Sequence, residues 1–190
     1  VGVVHELGDD IFGYEPGQRV LFGSTTPCGQ CDNCLNGHAA HCQGHLGGWR
    51  LGNTIDGAQA EFVRIPFAQA NLVAIPEALT DEQVLLLGGV ASGGFAAVEN
   101  GHVSLGDEVA IFGQGPIGLC STVAARLRGA ARIFAVDADP FRLAVARRMG
   151  ADVTLPAGAD PVAAILHATG GRGVAVAIEA YGGQSTFSTA

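Results

Sequence analysis

Val109-Ala110-Ile111-Phe112 is a run of four apolar residues that passes directly into Gly113-Gln114-Gly115-Pro116-Ile117-Gly118, and Leu119 to Arg128 continues with helical character. A strand, a glycine turn and a helix in immediate succession restrict the fold to parallel-sheet architectures with right-handed crossovers. The three glycines have distinct tasks. Gly113 permits the tight turn, Gly115 lets a pyrophosphate approach the backbone, and Gly118 lets helix and strand pack closely, while the first helical amides and the helix dipole face the phosphates. A purely structural glycine turn is the duller reading of the same residues. The next strand, Arg132-Ile133-Phe134-Ala135-Val136, ends in Asp137, nineteen residues past Gly118. A carboxylate there can accept both adenosine ribose hydroxyls, and with no Lys or Arg expected beside it a 2′-phosphate would meet negative charge, so NAD is favoured over NADP. Gly113, Gly115, Pro116, Ile117, Gly118 and Asp137 are therefore the candidate cofactor-binding residues. Arg142, five residues on, either flanks the adenine or is a surface helix residue. Asp139-Pro140 reads as the N-cap and first turn of the next helix.

The surrounding pattern extends this unit. Thr80-Asp81-Glu82-Gln83 is a capping box that opens a helix. Helices are expected near 81–87, 93–100, 116–128, 140–149 and 161–168, alternating with strands near 109–113, 132–136, 153–155 and 174–179. Upstream, residues 1–77 read as short strands and turns, including 17–22 after a Pro-Gly turn and 60–65 after Asp56-Gly57, which predicts a barrel-like β domain. The boundary is placed at 77/78, with a Rossmann nucleotide-binding domain over 78–190. Val1 opens inside a strand-like run and 185–190 reads as the start of a helix, so the expectation is an internal stretch of a longer protein whose second domain is truncated.

Within the β domain, Cys28-x-x-Cys31-x-x-Cys34 and Cys42 place four thiols in fifteen residues. That spacing lets residues 28–42 wrap one tetrahedral ion, zinc first among the candidates, in an all-cysteine site with no open position for chemistry. Gly29, Asn33, Asn36 and Gly37 suit its turns. A disulfide framework or an iron–sulfur cluster is less favoured. With four thiolates available, His38, His41 and His45 read as solvated loop residues. Cys120 reads as a small buried hydrophobe, and His5, His102 and His167 have no supporting partners.

Composition narrows the partners. The 190 residues are 48% hydrophobic and 15% charged, enough to bury a core, and the net charge of -8 opposes nucleic acid and anionic membrane surfaces. The apolar run Val84–Val90 contains Gly88 and Gly89 and is far below the roughly 20 residues that span a bilayer. A cytoplasmic location follows, in keeping with reduced thiols.

A four-cysteine lobe in a β domain followed by this glycine loop resembles the zinc-dependent medium-chain alcohol dehydrogenases along the whole chain. The carrying residues are Gly2-x-Val4, Pro16-Gly17-Gln18-Arg19-Val20, the four cysteines, Asp56-Gly57-x-x-Ala60-Glu61-Phe62, Gly113-x-Gly115-Pro116-Ile117-Gly118-Leu119 and Gly171-Arg172-Gly173-Val174. Gly47-Gly48-Trp49-x-x-Gly52-Asn53 and Ser92-Gly93-Gly94-Phe95 look most like the secondary-alcohol, isopropanol-type branch. The resemblance implies an α/β protein: part of a GroES-like β domain with a zinc lobe, then part of a Rossmann doubly wound sheet. It also implies a structural zinc, a catalytic zinc that polarises the alcohol oxygen, and hydride transfer to NAD. Ser24, Thr25 and Trp49 match the substrate-pocket wall.

Two positions depart from the pattern. The first two catalytic-zinc ligands of the family would precede Val1, and the third aligns with Gly89, which has no donor. No catalytic residue is nominated. The expected function is a zinc-containing, NAD-dependent alcohol dehydrogenase acting on a small alcohol and the matching ketone or aldehyde, homo-oligomeric (dimer or tetramer) at full length, with this stretch inactive by itself. A non-catalytic NAD-binding relative that retains only the structural zinc is the alternative.

Overall fold

The computed structural model describes residues 1–190, which divide into two compact units, Val1–Gly89 and Val90–Ala190.

The first unit contains β1 (Gly2–Val3), β2 (Arg19–Phe22), α1 (Asp32–Leu35), α2 (Ala68–Asn71), β3 (Leu72–Ala74) and α3 (Asp81–Val84). The strands form an antiparallel sheet ordered β1-β2-β3, in which Val20 pairs with Gly2 on one side and Ala74 on the other. This is a three-stranded sheet with short helices rather than the barrel-like, all-β domain expected. Residues 60–65, expected as a strand, are irregular: alternation prepares a segment for a sheet, but a strand exists only where another backbone completes its ladder. Phe62 instead sets its ring 4.9 Å from that of His5.

Near the end of the first unit the capping box forms as read: Thr80 N donates to Gln83 Oε1 at 2.9 Å and Gln83 N to Thr80 Oγ1 at 3.4 Å. The helix is short, ending at Val84 and passing into a 3-10 turn over Leu85–Gly88. This segment packs on the first unit, for Arg19 Nε reaches Asp81 Oδ1 at 3.0 Å and Ser24 N donates to Gly88 O at 3.2 Å.

The second unit runs α4 (Val90–Asn100), β4 (Glu108–Phe112), α5 (Pro116–Leu127), β5 (Arg132–Asp137), α6 (Pro140–Arg148), β6 (Val153–Pro156), α7 (Pro161–Ala168), β7 (Val176–Glu179) and α8 (Gln184–Thr189). The strands are parallel in the order β6-β5-β4-β7, the first four positions of a doubly wound nucleotide-binding sheet. Both faces are covered. Val109, Ile111, Ile133 and Ala135 join Ala124, Ala125 and Ala146 in one core cluster, while Ala110, Phe112, Phe134 and Val136 join Ile165 in another. Alternate side chains of one strand point to opposite faces, so a sheet buried on both sides requires continuous apolar runs. Helix α4 lies against α5 closely enough that a Cβ on Gly94 would stand 2.5 Å from Cys120 Cβ and 2.8 Å from Ile117 O. Ser121 Oγ closes the contact by donating to Gly94 O at 3.2 Å. Cys120 is therefore half-buried at a helix contact, not wholly buried.

Candidate metal and dinucleotide sites

Cys31 precedes α1, Cys34 lies within it, and Cys42 follows a 3-10 turn over Ala39–His41. These short elements bring the four sulfurs of Cys28, Cys31, Cys34 and Cys42 within 4.8 Å of one another. Three of the separations are 4.0 Å (Cys28–Cys34), 3.5 Å (Cys31–Cys34) and 3.9 Å (Cys31–Cys42). Four thiolates about 2.3 Å from a zinc ion stand about 3.8 Å apart in a tetrahedron. The donor set and its spacing thus fit zinc. No disulfide joins any of them.

The surrounding backbone shapes and polarises this site. A Cβ on Gly47 would collide with Cys42 Sγ, and one on Gly44 would stand 2.9 Å from Cys28 Cβ, so both glycines are needed where chain wraps sulfur. Cys28 N and Gly44 N each donate to Cys42 Sγ at 3.2 Å. Hydrogen bonds from the backbone of Gln43 and Cys34 lower the Cys31 thiol to about 6, and those of Gln30 and Cys31 lower Cys28. Burial pushes Cys34 up to about 11. Donated N–H bonds favour a thiolate and desolvation disfavours it, so the lobe is partly preset for a cation, and Cys34 would release its proton to solvent on ligating one.

Asn71 is a residue the sequence did not single out. Buried at the end of α2, its Nδ2 donates to Pro27 O at 3.0 Å, Pro66 O at 2.8 Å and Phe67 O at 3.0 Å, anchoring the chain just before Cys28. A lone Asn gives no such signal, because its partners are 4 to 44 residues away. Thr26, also buried, donates through Oγ1 to Leu46 O at 2.8 Å and through N to Gly48 O at 3.1 Å. These bonds hold the Ser24–Thr25 loop beside the loop that carries Trp49, which is 61% exposed and so is not a packing residue of this unit.

In the second unit each glycine has the geometry its position calls for. Gly113 has φ +87° and closes the strand one residue earlier than expected. A Cβ on Gly118 would lie inside the contact radius of Gly113 O, whereas one on Gly115 would meet nothing within 4 Å. Gly115 is the N-cap of α5, Pro116 occupies its first turn and Ile117 is 44% exposed. The open space at Gly115 faces free helix amides, the arrangement that binds phosphate oxygens.

Asp137 ends β5 with only 7% of its surface exposed. Its Oδ2 accepts from Gln114 N at 2.6 Å and its Oδ1 from Asp139 N at 2.8 Å. Each oxygen retains a lone pair for a ribose hydroxyl. Asp139 caps α6 as read, accepting from Phe141 N at 2.8 Å. One expectation needs correcting: a cation does stand beside Asp137. Arg142 Nη1 is 4.0 Å from Asp137 Oδ2 and its Nε is 3.8 Å from Asp139 Oδ2, because one turn of α6 returns the side chain toward the helix start.

Glu179, at the end of β7, also escaped the sequence reading. Its carboxylate accepts from Thr186 Oγ1 at 2.7 Å, Tyr181 N at 2.9 Å and Gly182 N at 3.0 Å. Burial raises its carboxyl, and these bonds more than offset that, leaving it below the usual carboxylate range.

A four-thiol lobe with zinc-fitting spacing in one unit and a parallel sheet with a glycine turn in the next are marks of the medium-chain class, and the chain belongs to the zinc-dependent medium-chain alcohol dehydrogenase family. Residues 1–77 match the alcohol dehydrogenase GroES-like domain and residues 116–190 the zinc-binding dehydrogenase domain. An alcohol dehydrogenase of Cupriavidus necator is 46% identical over 98% of this chain and 55% of its own length. An NADP-dependent isopropanol dehydrogenase of Thermoanaerobacter brockii is 34% identical over all of this chain and 54% of its own. Among solved structures, zinc-dependent alcohol dehydrogenase 2 from Streptococcus pneumonia superposes with a TM-score of 0.90 at 38% identity, over 99% of this chain and 53% of that one. The chain spans about half the length of the curated relatives it matches. No helix is long and apolar enough to cross a membrane.

Proposed function

We propose that this chain serves an NAD-dependent, zinc-containing alcohol dehydrogenase that moves a hydride between a small alcohol and the nicotinamide, the matching ketone or aldehyde being the other substrate. The observation that carries this is the nucleotide site: an open Gly115 backbone at the start of α5, and Asp137 19 residues beyond Gly118 at the end of β5. When bound, the dinucleotide supplies the hydride acceptor. The chain's part is to hold it: the Gly113–Gly118 segment takes the pyrophosphate and Asp137 takes the adenosine ribose.

Zinc in the Cys28, Cys31, Cys34 and Cys42 lobe is structural, since four thiolates leave no coordination position for a substrate. Ser24, Thr25 and Trp49 are proposed for the substrate wall, supported by the hydrogen bonds that hold their two loops together. Gly89, aligned with a catalytic-zinc ligand of the family, offers no donor atom, so no step is assigned to a second zinc here. Residues 1–77 are proposed as the GroES-like portion and 78–190 as nucleotide-binding, in a cytoplasmic protein that assembles as a homo-oligomer.

The test has two parts. The 190-residue chain should bind NADH, followed by fluorescence titration. An intact polypeptide of the relatives' length carrying this sequence should reduce NAD with propan-2-ol. Nucleotide binding with no turnover of any small alcohol would refute the enzymatic reading and leave a binding protein.

A further inference from the structure

Gln114 is the residue between the first two glycines of the loop, and it is completely buried. A buried primary amide is costly unless it is hydrogen-bonded; this one is bonded through both its nitrogen and its oxygen, and the backbone N–H of the same residue makes a third bond. Its Nε2 donates to Ile111 O at 3.0 Å, its Oε1 accepts from Thr122 Oγ1 at 3.1 Å, and its backbone N donates to Asp137 Oδ2 at 2.6 Å. Thr122, fully buried on α5, is also 3.1 Å from Gly118 O, so its single proton is shared between two acceptors. The side chain of Gln114 thereby ties the end of β4 to the first turns of α5, and its backbone N–H ties both to the end of β5. Ion pairing at the surface could not do this work, since Arg142 is 47% exposed and no closer than 4.0 Å to Asp137.

The geometry points to Gln114 and Thr122 as positioning residues for cofactor selection. Their buried hydrogen bonds fix the peptide between Gly113 and Gln114 so that its N–H holds one oxygen of Asp137, and this sets the angle at which the carboxylate meets the ribose hydroxyls. The inference rests on the dinucleotide reading above and deepens it: discrimination between a ribose 2′-hydroxyl and a 2′-phosphate depends on a buried relay as well as on the charge of Asp137.

Thr122→Val removes the hydroxyl at nearly constant shape, and Thr122→Ser retains it. Gln114→Met keeps the length of the side chain without its hydrogen bonds. Dissociation constants of the chain for NADH and NADPH, with a thermal melt of each variant, test the relay. Thr122→Val and Gln114→Met should each weaken NADH about five- to tenfold while changing NADPH less than twofold, and Thr122→Ser should return NADH to within about twofold of the parent, magnitudes ordinary for removal of one buried hydrogen bond. Variants that melt lower yet keep the parental NADH/NADPH ratio would overturn the inference and leave Gln114 a structural residue only. Should Gln114→Met fail to fold, the Thr122 pair decides alone. A parent chain that binds neither dinucleotide would remove the reading itself and the relay with it, an outcome distinct from binding with an unmoved ratio.

Discussion

Asp137 illustrates how one side chain carries chemistry that its neighbours qualify. Its position at the end of β5 was readable from spacing, but the approach of Arg142 to 4.0 Å was not, because α6 had to be placed before its third residue had a direction. The pair makes a specific expectation about cofactor choice. Asp137→Gly should weaken NADH by about tenfold, roughly 1.4 kcal/mol, and should strengthen NADPH, since it removes the repulsion and frees the guanidinium for a 2′-phosphate. Adding Arg142→Ala should abolish the NADPH gain; titration of both nucleotides against the single and double variants measures it. Gly89 supports a second expectation. Its φ of -158° lies outside the left-handed region and a Cβ there meets nothing within 4 Å, so Gly89→Asp should fold. In a polypeptide of the relatives' length it should raise bound zinc above one equivalent by elemental analysis.

The start of α5 separates packing from binding within a single turn. Gly118→Ala drives a methyl group into the carbonyl of Gly113, a backbone atom that cannot swing aside. It should cost about 1–3 kcal/mol in denaturant unfolding, the range for overpacking. Gly115→Ala meets only open space and should leave the midpoint nearly unmoved while weakening NADH severely if that space takes the pyrophosphate as proposed. On the neighbouring strand, Glu179, paired with Phe112, holds the turn into α8 through a carboxyl lowered in the folded chain. A depressed folded value means the support is complete above the unfolded carboxyl's pKa of about 4.3 and is lost as pH falls through the lower folded value. Protection of the α8 amides against exchange should therefore fall as pH drops through and below the ordinary carboxylate range, with Glu179→Gln flattening that dependence. The glycine roles were legible because φ and close approach are local demands. Glu179 was silent, since its partners Tyr181, Gly182 and Thr186 form a ring of donors only after the chain has turned back.

The two units carry separate sites, each built from residues of one unit alone, and this makes metal loss and nucleotide binding separable. The unmodified chain should hold one zinc by elemental analysis, and Cys31→Ser should release it and expose residues 28–42 to proteolysis. It should change the NADH dissociation constant less than twofold. Loading zinc at pH 7 should release protons, because the Cys34 thiol, pushed up to about 11 by burial, must ionise to bind; affinity should fall as the solution is acidified through the Cys31 value of about 6. The helices and parallel strands after residue 90, the capping box at Thr80 and the four-cysteine cluster were all determined by the sequence. Each rests on interactions spanning a few residues or on a periodicity that only one kind of packing satisfies. The tertiary structure decided the rest: that residues 60–65 form no strand, that the segment after Thr80 lies on the first unit, that Asn71 and Gln114 anchor the two sites, and that Arg142 turns toward Asp137. Those outcomes depend on partners distant in the chain, and neither a ladder partner nor a buried acceptor is written into the residue that needs it.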